Sequence, residues 1–458
     1  MDHDAGLRIG HFGDVRRDQA GMAFFERVVT TGSLVISEVG GDRAGEISAH
    51  RFLDSRHVTA EEIIKTAAKR AAVACAGRRI VAVQDTTEIN FSGRDRRRRG
   101  LGPAGDGKAL GFFCHAMVAV DIDDEAMVGV LHARIWTRPS ASAPARRSQP
   151  IEQKESIRWI EATAAAGNLL ASAAQLIIIG DREFDIYSQF VRRPPNVELI
   201  VRVAQNRRLA NAGRLFDAPS DWREFGAMDI RVPPAGPGDP GRIARVSVKA
   251  GHVCIAKPRN GAAPSDPATV TLTYVEVCET NPPRGHKPII WRLLTTLPVC
   301  GELDEFAAAQ EIVRLYRLRW RIEQVFRSMK SDGLRLEETQ INDAPRLFKL
   351  AAIALVAAAR TIQLVDARDG SRRPASEVAD HDLISAAQAI GPTLEGQTAR
   401  QKNPYEVGGL DWLSWIIARL GGWNCYYKPP GPKTMQRGWT KFAAMAGGYA
   451  VAMAQQNV

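Results

Sequence analysis

Cysteine is scarce in this 458-residue chain and is never clustered. Its six positions, Cys75, Cys114, Cys254, Cys278, Cys300 and Cys425, form no CxxC pair and no Cys/His group at zinc spacing. That scatter excludes a zinc ribbon and a disulfide framework, and fits reduced thiols in a cytosol. No stretch of about 18 apolar residues is on hand to span a bilayer, and the N-terminus carries no apolar signal segment. No internal repeat is evident, which excludes a solenoid or propeller. Acidic residues are outnumbered: 51 Asp and Glu face 61 Lys and Arg, a formal charge of +10. The sequence pI of about 9.5 favours a polyanionic partner.

Against these absences, three segments carry chemistry. The stretch Tyr316-Arg-Leu-Arg-Trp-Arg-Ile-Glu-Gln-Val-Phe-Arg-Ser-Met-Lys330 has the spacing Y-x2-R-x3-E-x6-K. Read as one helix, it puts Arg319, Glu323 and Lys330 on one face, with Tyr316 a turn earlier. A lone carboxylate among cations suits a metal-bound phosphate, although Glu323 could simply pair with Arg319 or Arg327 at i, i+4. Upstream, the apolar run Ile80–Val83 predicts a strand ending at Asp85, followed by Thr86 and Thr87. A second run, Leu176–Ile179, predicts a strand stopping at Asp181, within Asp181-Arg-Glu-Phe-Asp185. Strand-end acids lie where open α/β sheets place ligands, though a lone one is more often a cap or turn former. Together, Asp85, Asp181 and Glu323 could hold two Mg²⁺ ions about 3.5–4 Å apart, with Mn²⁺ able to substitute. That is apparatus for in-line phosphodiester cleavage and strand transfer.

In these residues the chain resembles the DDE transposases of bacterial insertion sequences, and more narrowly the insertion-sequence-four (IS four) family, Tn-five transposase type. The resemblance rests on Asp85-Thr-Thr87, Asp181-Arg-Glu-Phe-Asp185 and the Tyr316–Lys330 spacing, and extends from about Gly10 to about Ala450. It implies that Asp85, Asp181 and Glu323 are the catalytic, metal-binding triad. It implies that Tyr316, Arg319 and Lys330 grip phosphates at the cleaved end, supported by Arg202. Trp291 aligns with a tryptophan that stacks on a flipped base, and Trp320 with another aromatic near the DNA end. Either tryptophan could instead be a packing residue. The implied function is cut-and-paste DNA transposition: binding of terminal inverted repeats, nicking, hairpin formation and joining of 3′ ends to target DNA. The implied partners are transposon-end DNA, target DNA and a second copy of the chain in a synaptic homodimer, with no membrane, in a bacterial cytoplasm near the nucleoid. Two alternatives stand beside it: a catalytically silent DNA-binding remnant or inhibitor, and a metal nuclease without strand transfer.

The fold expected is α/β: an RNase H-like (ribonuclease H fold) catalytic core with an all-β insertion, flanked by helical N- and C-terminal domains. Residues 1–65 would be a helical end-binding domain, with Arg16 and Arg17 as its DNA contacts and Thr59 as a helix cap. Residues 66–365 would form the core, with strands at 80–85, 114–121, 127–135, 176–181 and 197–203, and the β insertion at about 204–300. Residues 366–458 would be a helical dimerisation domain, with Leu410–Leu420 amphipathic and the small residues of Ala443–Ala452 permitting close helix contact. The basic run Arg94–Arg99 is read either as a DNA contact near the cut or as a solvated charge run. Arg192-Arg193 and Arg207-Arg208 add charge near Asp181. Glu183 and Asp185 are given no catalytic role, and Asp121 is read as part of a turn with Asp123 and Asp124.

Overall fold

The structure is a computed structural model that describes residues 8–91, 98–105, 109–139, 149–232, 241–330 and 333–456. Four helices lead: α1 (Val15–Thr31), α2 (Ile36–Gly40), α3 (Arg43–Asp54) and α4 (Ala60–Cys75). Strands β1 (Arg79–Phe91), β2 (Gly102–Ala104), β3 (Ala109–Asp121) and β4 (Met127–Trp136) follow. Next come α5 (Ile157–Leu169), β5 (Gln175–Gly180), α6 (Tyr187–Val191), β6 (Glu198–Arg202), β7 (Gly226–Val232), β8 (Arg242–Ala256), β9 (Thr269–Glu279) and β10 (Ile290–Thr295). The chain closes with α7 (Glu305–Arg317), α8 (Trp320–Lys330), α9 (Ala344–Ala367), α10 (His381–Ile390), α11 (Leu410–Leu420) and α12 (Pro432–Gln456). The result is a mixed α/β architecture.

Two compact units share these elements. Unit 1 is Met1–Arg79, Thr86–Ser142 and Arg321–Val458; unit 2 is Ile80–Asp85 and Ala143–Trp320. The chain passes between them inside β1, after Asp85, and inside α8, after Trp320.

In unit 2 the sheet order is β1–β5–β6–β10–β9–β8–β7. β5 and β6 are parallel, with Ile179 opposite Ile200, while β10 runs antiparallel to β6 and sets Leu293 opposite Arg202. β7 to β10 are antiparallel neighbours, as expected of short alternating runs separated by turns. Ile177, Ile178, Leu199, Ile200, Leu293 and Leu294 are buried, each worth about 1.5–3 kcal/mol of burial.

In unit 1 the order is β2–β3–β1, and β4 also pairs with β3, antiparallel along Phe113–Val120. The Asp121-to-Ala126 turn joins β3 to β4. Asp121 accepts from the Asp123 backbone N–H at 2.9 Å and pairs with Arg78 at 3.1 Å, the turn role expected of it. Contrary to the expectation that no stretch could span a bilayer, α9 is long and apolar enough by length and composition, yet 89% of its most apolar window is buried. It is thus packed as a core helix. Thr59 caps α4, its hydroxyl accepting from Glu62 N–H at 3.1 Å. α11 spans the expected Leu410–Leu420, with Trp412 and Trp415 buried. The six cysteines are free thiols, and burial pushes Cys75 and Cys114 up to about 12.

Two further expectations need correction. The first strand does not end at Asp85. β-branched and aromatic residues (Thr86, Thr87, Ile89, Phe91) carry it six residues further with alternating burial, so Asp85 is central in β1. Tyr316–Lys330 is not one helix either. The Leu318 and Arg319 N–H groups bond to Leu315 and Tyr316 three residues back, at 3.0 and 3.1 Å, and this tightened turn separates α7 from α8. Tyr316 therefore closes α7, Arg319 sits in the break, and only Glu323 and Lys330 share α8.

Candidate active site

Asp85 lies on β1 and Asp181 directly follows β5, the neighbouring strand in unit 2. The Asp181 turn is built by close packing. A Cβ on Gly180 would come within 2.5 Å of Phe184, so only glycine lets the chain fold back on the strand end. Phe184 in turn stacks on buried Trp159 at 5.4 Å. Asp181 Oδ1 accepts the Glu183 N–H at 3.0 Å and so caps the short 3-10 turn Arg182–Phe184. Arg158 of α5 holds Glu183 at 2.9 Å and thereby steadies the same turn. Nothing in the sequence marked Arg158, because it comes 25 residues earlier on an ordinary amphipathic helix.

Arg319 donates from Nη1 to Asp85 Oδ2 at 3.3 Å, with both side chains largely buried. The break between α7 and α8 is what presents this guanidinium to β1. Tyr316 is 4% exposed, and its hydroxyl has no hydrogen-bond partner among the described residues. Burial raises its pKa, the charges of Arg202 and Arg319 oppose that rise, and Asp181 adds to it. Arg202 acts here mainly through its charge. Trp291, on β10, meets the Tyr316 ring edge to face at 5.8 Å. Trp320 is 45% exposed, with the Arg319 guanidinium carbon 5.4 Å from its ring. Unit 2 therefore brings together Asp85, Asp181, Arg202, Trp291, Tyr316, Arg319 and Trp320 on β1, the β5 end, β6, β10 and the α7–α8 junction. The tyrosine–tryptophan contact was not foreseen, since only the pairing of β10 with β6 brings Trp291 to this corner.

Glu323 and Lys330 belong to the part of α8 in unit 1, both half-buried, with Lys330 Nζ 4.0 Å from Glu337. Among the described residues, no three His, Cys, Asp or Glu side chains converge into a group able to hold a metal. The donor chemistry of Asp85 and Asp181, hard carboxylate oxygens on adjacent strands, nevertheless fits Mg²⁺ or Mn²⁺.

Several charges singled out in the sequence serve the fold. Arg98 donates to the carbonyls of Ile341 and Thr339 at 2.6 and 2.7 Å and stacks on Phe91, while Arg99 is exposed. Arg94 to Arg97 lie outside the described residues. Arg207 is buried against Asp185, and Arg192 binds Asp266 and Glu152, both at 2.8 Å. Arg16 is exposed at the start of α1, whereas Arg17 is half-buried and donates to the Phe12 carbonyl.

Residues 171–359 match the family model of the transposase DDE domain. The span runs from β5 into α9 and holds Asp181, Arg202, Trp291, Tyr316, Arg319, Trp320, Glu323 and Lys330; Asp85 precedes it. The match supports a transposase-type nuclease and transferase, a class whose substrate is DNA and whose DDE domain implies an RNase H-like fold. More particularly, it supports a DDE transposase.

Proposed function

We propose that this protein is a cut-and-paste transposase of the insertion-sequence-four family, Tn-five type. The observation that carries the reading is the unit 2 corner where Asp85 is paired to Arg319 beside Asp181, Arg202, Tyr316 and Trp291. Asp85, Asp181 and Glu323 would hold the catalytic Mg²⁺, two ions per site, or Mn²⁺ in its place. When bound, the metal supplies Lewis acidity and lowers the pKa of water.

This chain's own residues would do the positioning. Arg319 and Arg202 offer guanidinium forks to the phosphates flanking the cut, Lys330 adds a point charge, and Tyr316 offers an uncommitted hydroxyl. The edge-to-face contact with Tyr316 steadies the Trp291 ring, which would stack on a flipped base for about 1–3 kcal/mol and offset its unstacking. Trp320, half-exposed beside Arg319, would contact the same DNA end. The freed 3′-hydroxyl would then attack the opposite strand to form a hairpin, later reopened and joined to target DNA.

By the same proposal, residues 1–65 would bind the ends, where exposed Arg16 is the better DNA contact than Arg17; 66–365 would carry catalysis, including the β insertion at about 204–300; and 366–458 would homodimerise. Exposed Met445, Val451 and Met453 on α12 support the last assignment. Cytoplasmic work on nucleoid DNA follows from the same reading.

The test is a linear duplex carrying the inverted repeats that flank the gene, incubated with full-length protein and Mg²⁺ beside Glu323→Gln. Hairpin ends formed only by the wild type, and only with metal, are expected on a denaturing gel. Cleavage without hairpins or joined products would mean a nuclease. Repeat binding without cleavage, under Mn²⁺ as well, would mean a DNA-binding remnant.

A further inference from the structure

A cavity of about 740 Å³ lies wholly within unit 1. Its size falls in the range of small-molecule sites, about 300–1,000 Å³. Part of its wall is apolar, including Phe25, Ala71, Val128, Val130, Val356 and Ala359. Its charged lining is mostly cationic, Arg8, Lys69, Arg70 and Arg360, beside neutral polar groups such as Thr66, Gln363 and Ser376. The single lining acid, Glu377, is already taken by Arg373 and by Arg78 at 3.7 Å.

Arg360 is 5% exposed, its Nη1 donates to Glu26 at 2.9 Å, and its guanidinium carbon stacks 4.2 Å from the Trp439 ring. Its Nε and Nη2 have no hydrogen-bond partner among the described residues. A buried guanidinium with two unmade bonds is costly unless something supplies the acceptors. Arg70 reinforces the point. Its Nη1 donates only at long range, 3.5 Å to the Arg8 carbonyl, and its pKa is pulled down to about 10 by burial and then by the Arg360 charge. Two arginines thus repel each other beside an apolar wall with too little negative charge to compensate.

We propose that this cavity binds a small amphiphilic anion. Its carboxylate or phosphate head would accept from Arg360 and Arg70, and its apolar body would lie against Val130, Val356 and Ala359. Bound there, it would link α4 to α9 through charge and stabilise unit 1. The inference is independent of the transposase reading, because it uses none of the residues assigned to DNA or metal.

Isothermal titration calorimetry and thermal melting of the full-length protein test it, with sodium decanoate, inorganic phosphate and decanol as probes. Decanoate is expected to bind saturably at one site and raise the melting temperature. Phosphate lacks the body and decanol lacks the charge, so each should bind at least about tenfold more weakly, the loss of one charge-assisted contact. Arg70→Gln should weaken decanoate by a similar factor. Ala359→Leu keeps both arginines but fills the space for the body, and should abolish binding while circular dichroism stays native. If one variant fails to fold, the other decides, and wild-type selectivity is read without either. Phosphate binding as tightly as decanoate would overturn the amphiphile in favour of a free inorganic anion. No saturable binding of any probe, or decanoate binding untouched by both substitutions, would overturn the site.

Discussion

Asp181 and Asp185 stand four residues apart on one turn, yet they live in opposite regimes. The Asp185 side chain is fully buried and saturated: it takes Arg207 Nε and Nη2 at 2.9 and 2.6 Å, and the Ala204 and Gln205 N–H groups at 2.9 and 3.1 Å. Among the described residues the Asp181 side chain makes one hydrogen bond, to the Glu183 N–H. Unit 1 shows the saturated type again in Asp366, which pairs with Arg321 at 2.7 Å and accepts the Met127 N–H at 3.0 Å. Asp185 and Asp366 have their oxygens occupied by protein donors, while Asp181, one of the three carboxylates proposed to work, keeps capacity for a ligand. Spacing in the sequence treats Asp181 and Asp185 alike, and partner count separates them.

Four experiments would break or sharpen that contrast. The largest stability effect is expected from Asp185→Asn, which strands a buried Arg207 charge. It should cost about 3–5 kcal/mol in a urea unfolding titration, and a loss below about 1 kcal/mol would end the claim that Asp185 is structural.

Next comes pH. Burial lifts Asp366 from 3.8 to about 6, with Arg321 opposing the rise. A folded pKa above the unfolded one means stability that is present below about pH 3.8 and lost as pH rises through about 6. The difference in stability between wild type and Asp366→Asn should therefore shift by up to about 3 kcal/mol across that window. Unfolding midpoints at stepped pH read it, and a flat difference would show that Asp366 stays ionised throughout.

Third, Asp181→Asn should cut strand cleavage at least ~100-fold, beyond what losing a ligand's outer partner costs. The Asn amide oxygen can still accept the Glu183 N–H and so keep the cap, so stability should change by no more than about 0.5 kcal/mol. Equal cleavage by mutant and wild type would remove Asp181 from the chemistry.

The smallest expected effect is from Tyr316→Phe. It deletes a buried hydroxyl without a hydrogen-bond partner, so stability should hold or rise by about 1 kcal/mol while end cleavage weakens. A marked loss of stability would mean that the hydroxyl is structural.

Much of this was legible in the chain itself. Runs of β-branched residues located β5 and β6 to within a residue at each end, and the amphipathic period of Leu410–Leu420 located α11. Thr59 announced the cap of α4, because capping is local chemistry. The spacing Y-x2-R-x3-E-x6-K and the Asp181 segment singled out residues within the matched domain, while the Asp85 segment lies well ahead of it. Those signals depend on backbone periodicity and on neighbours a few residues apart, which a sequence records directly.

Tertiary structure decided the rest. Whether α7 runs on into α8 depended on which carbonyl each N–H reaches, and the tighter choice put Arg319 against Asp85. Trp291 and Tyr316 meet only because β10 pairs with β6 across an intervening antiparallel ribbon. Arg207, Arg192 and Arg98 read as available positive charge, yet their buried partners lie between 22 and 243 residues away. The chain fixed which residue types were on hand. Which charges are spent on the fold and which stay open to a ligand is set by desolvation and geometry between distant segments, and only the folded chain contains that.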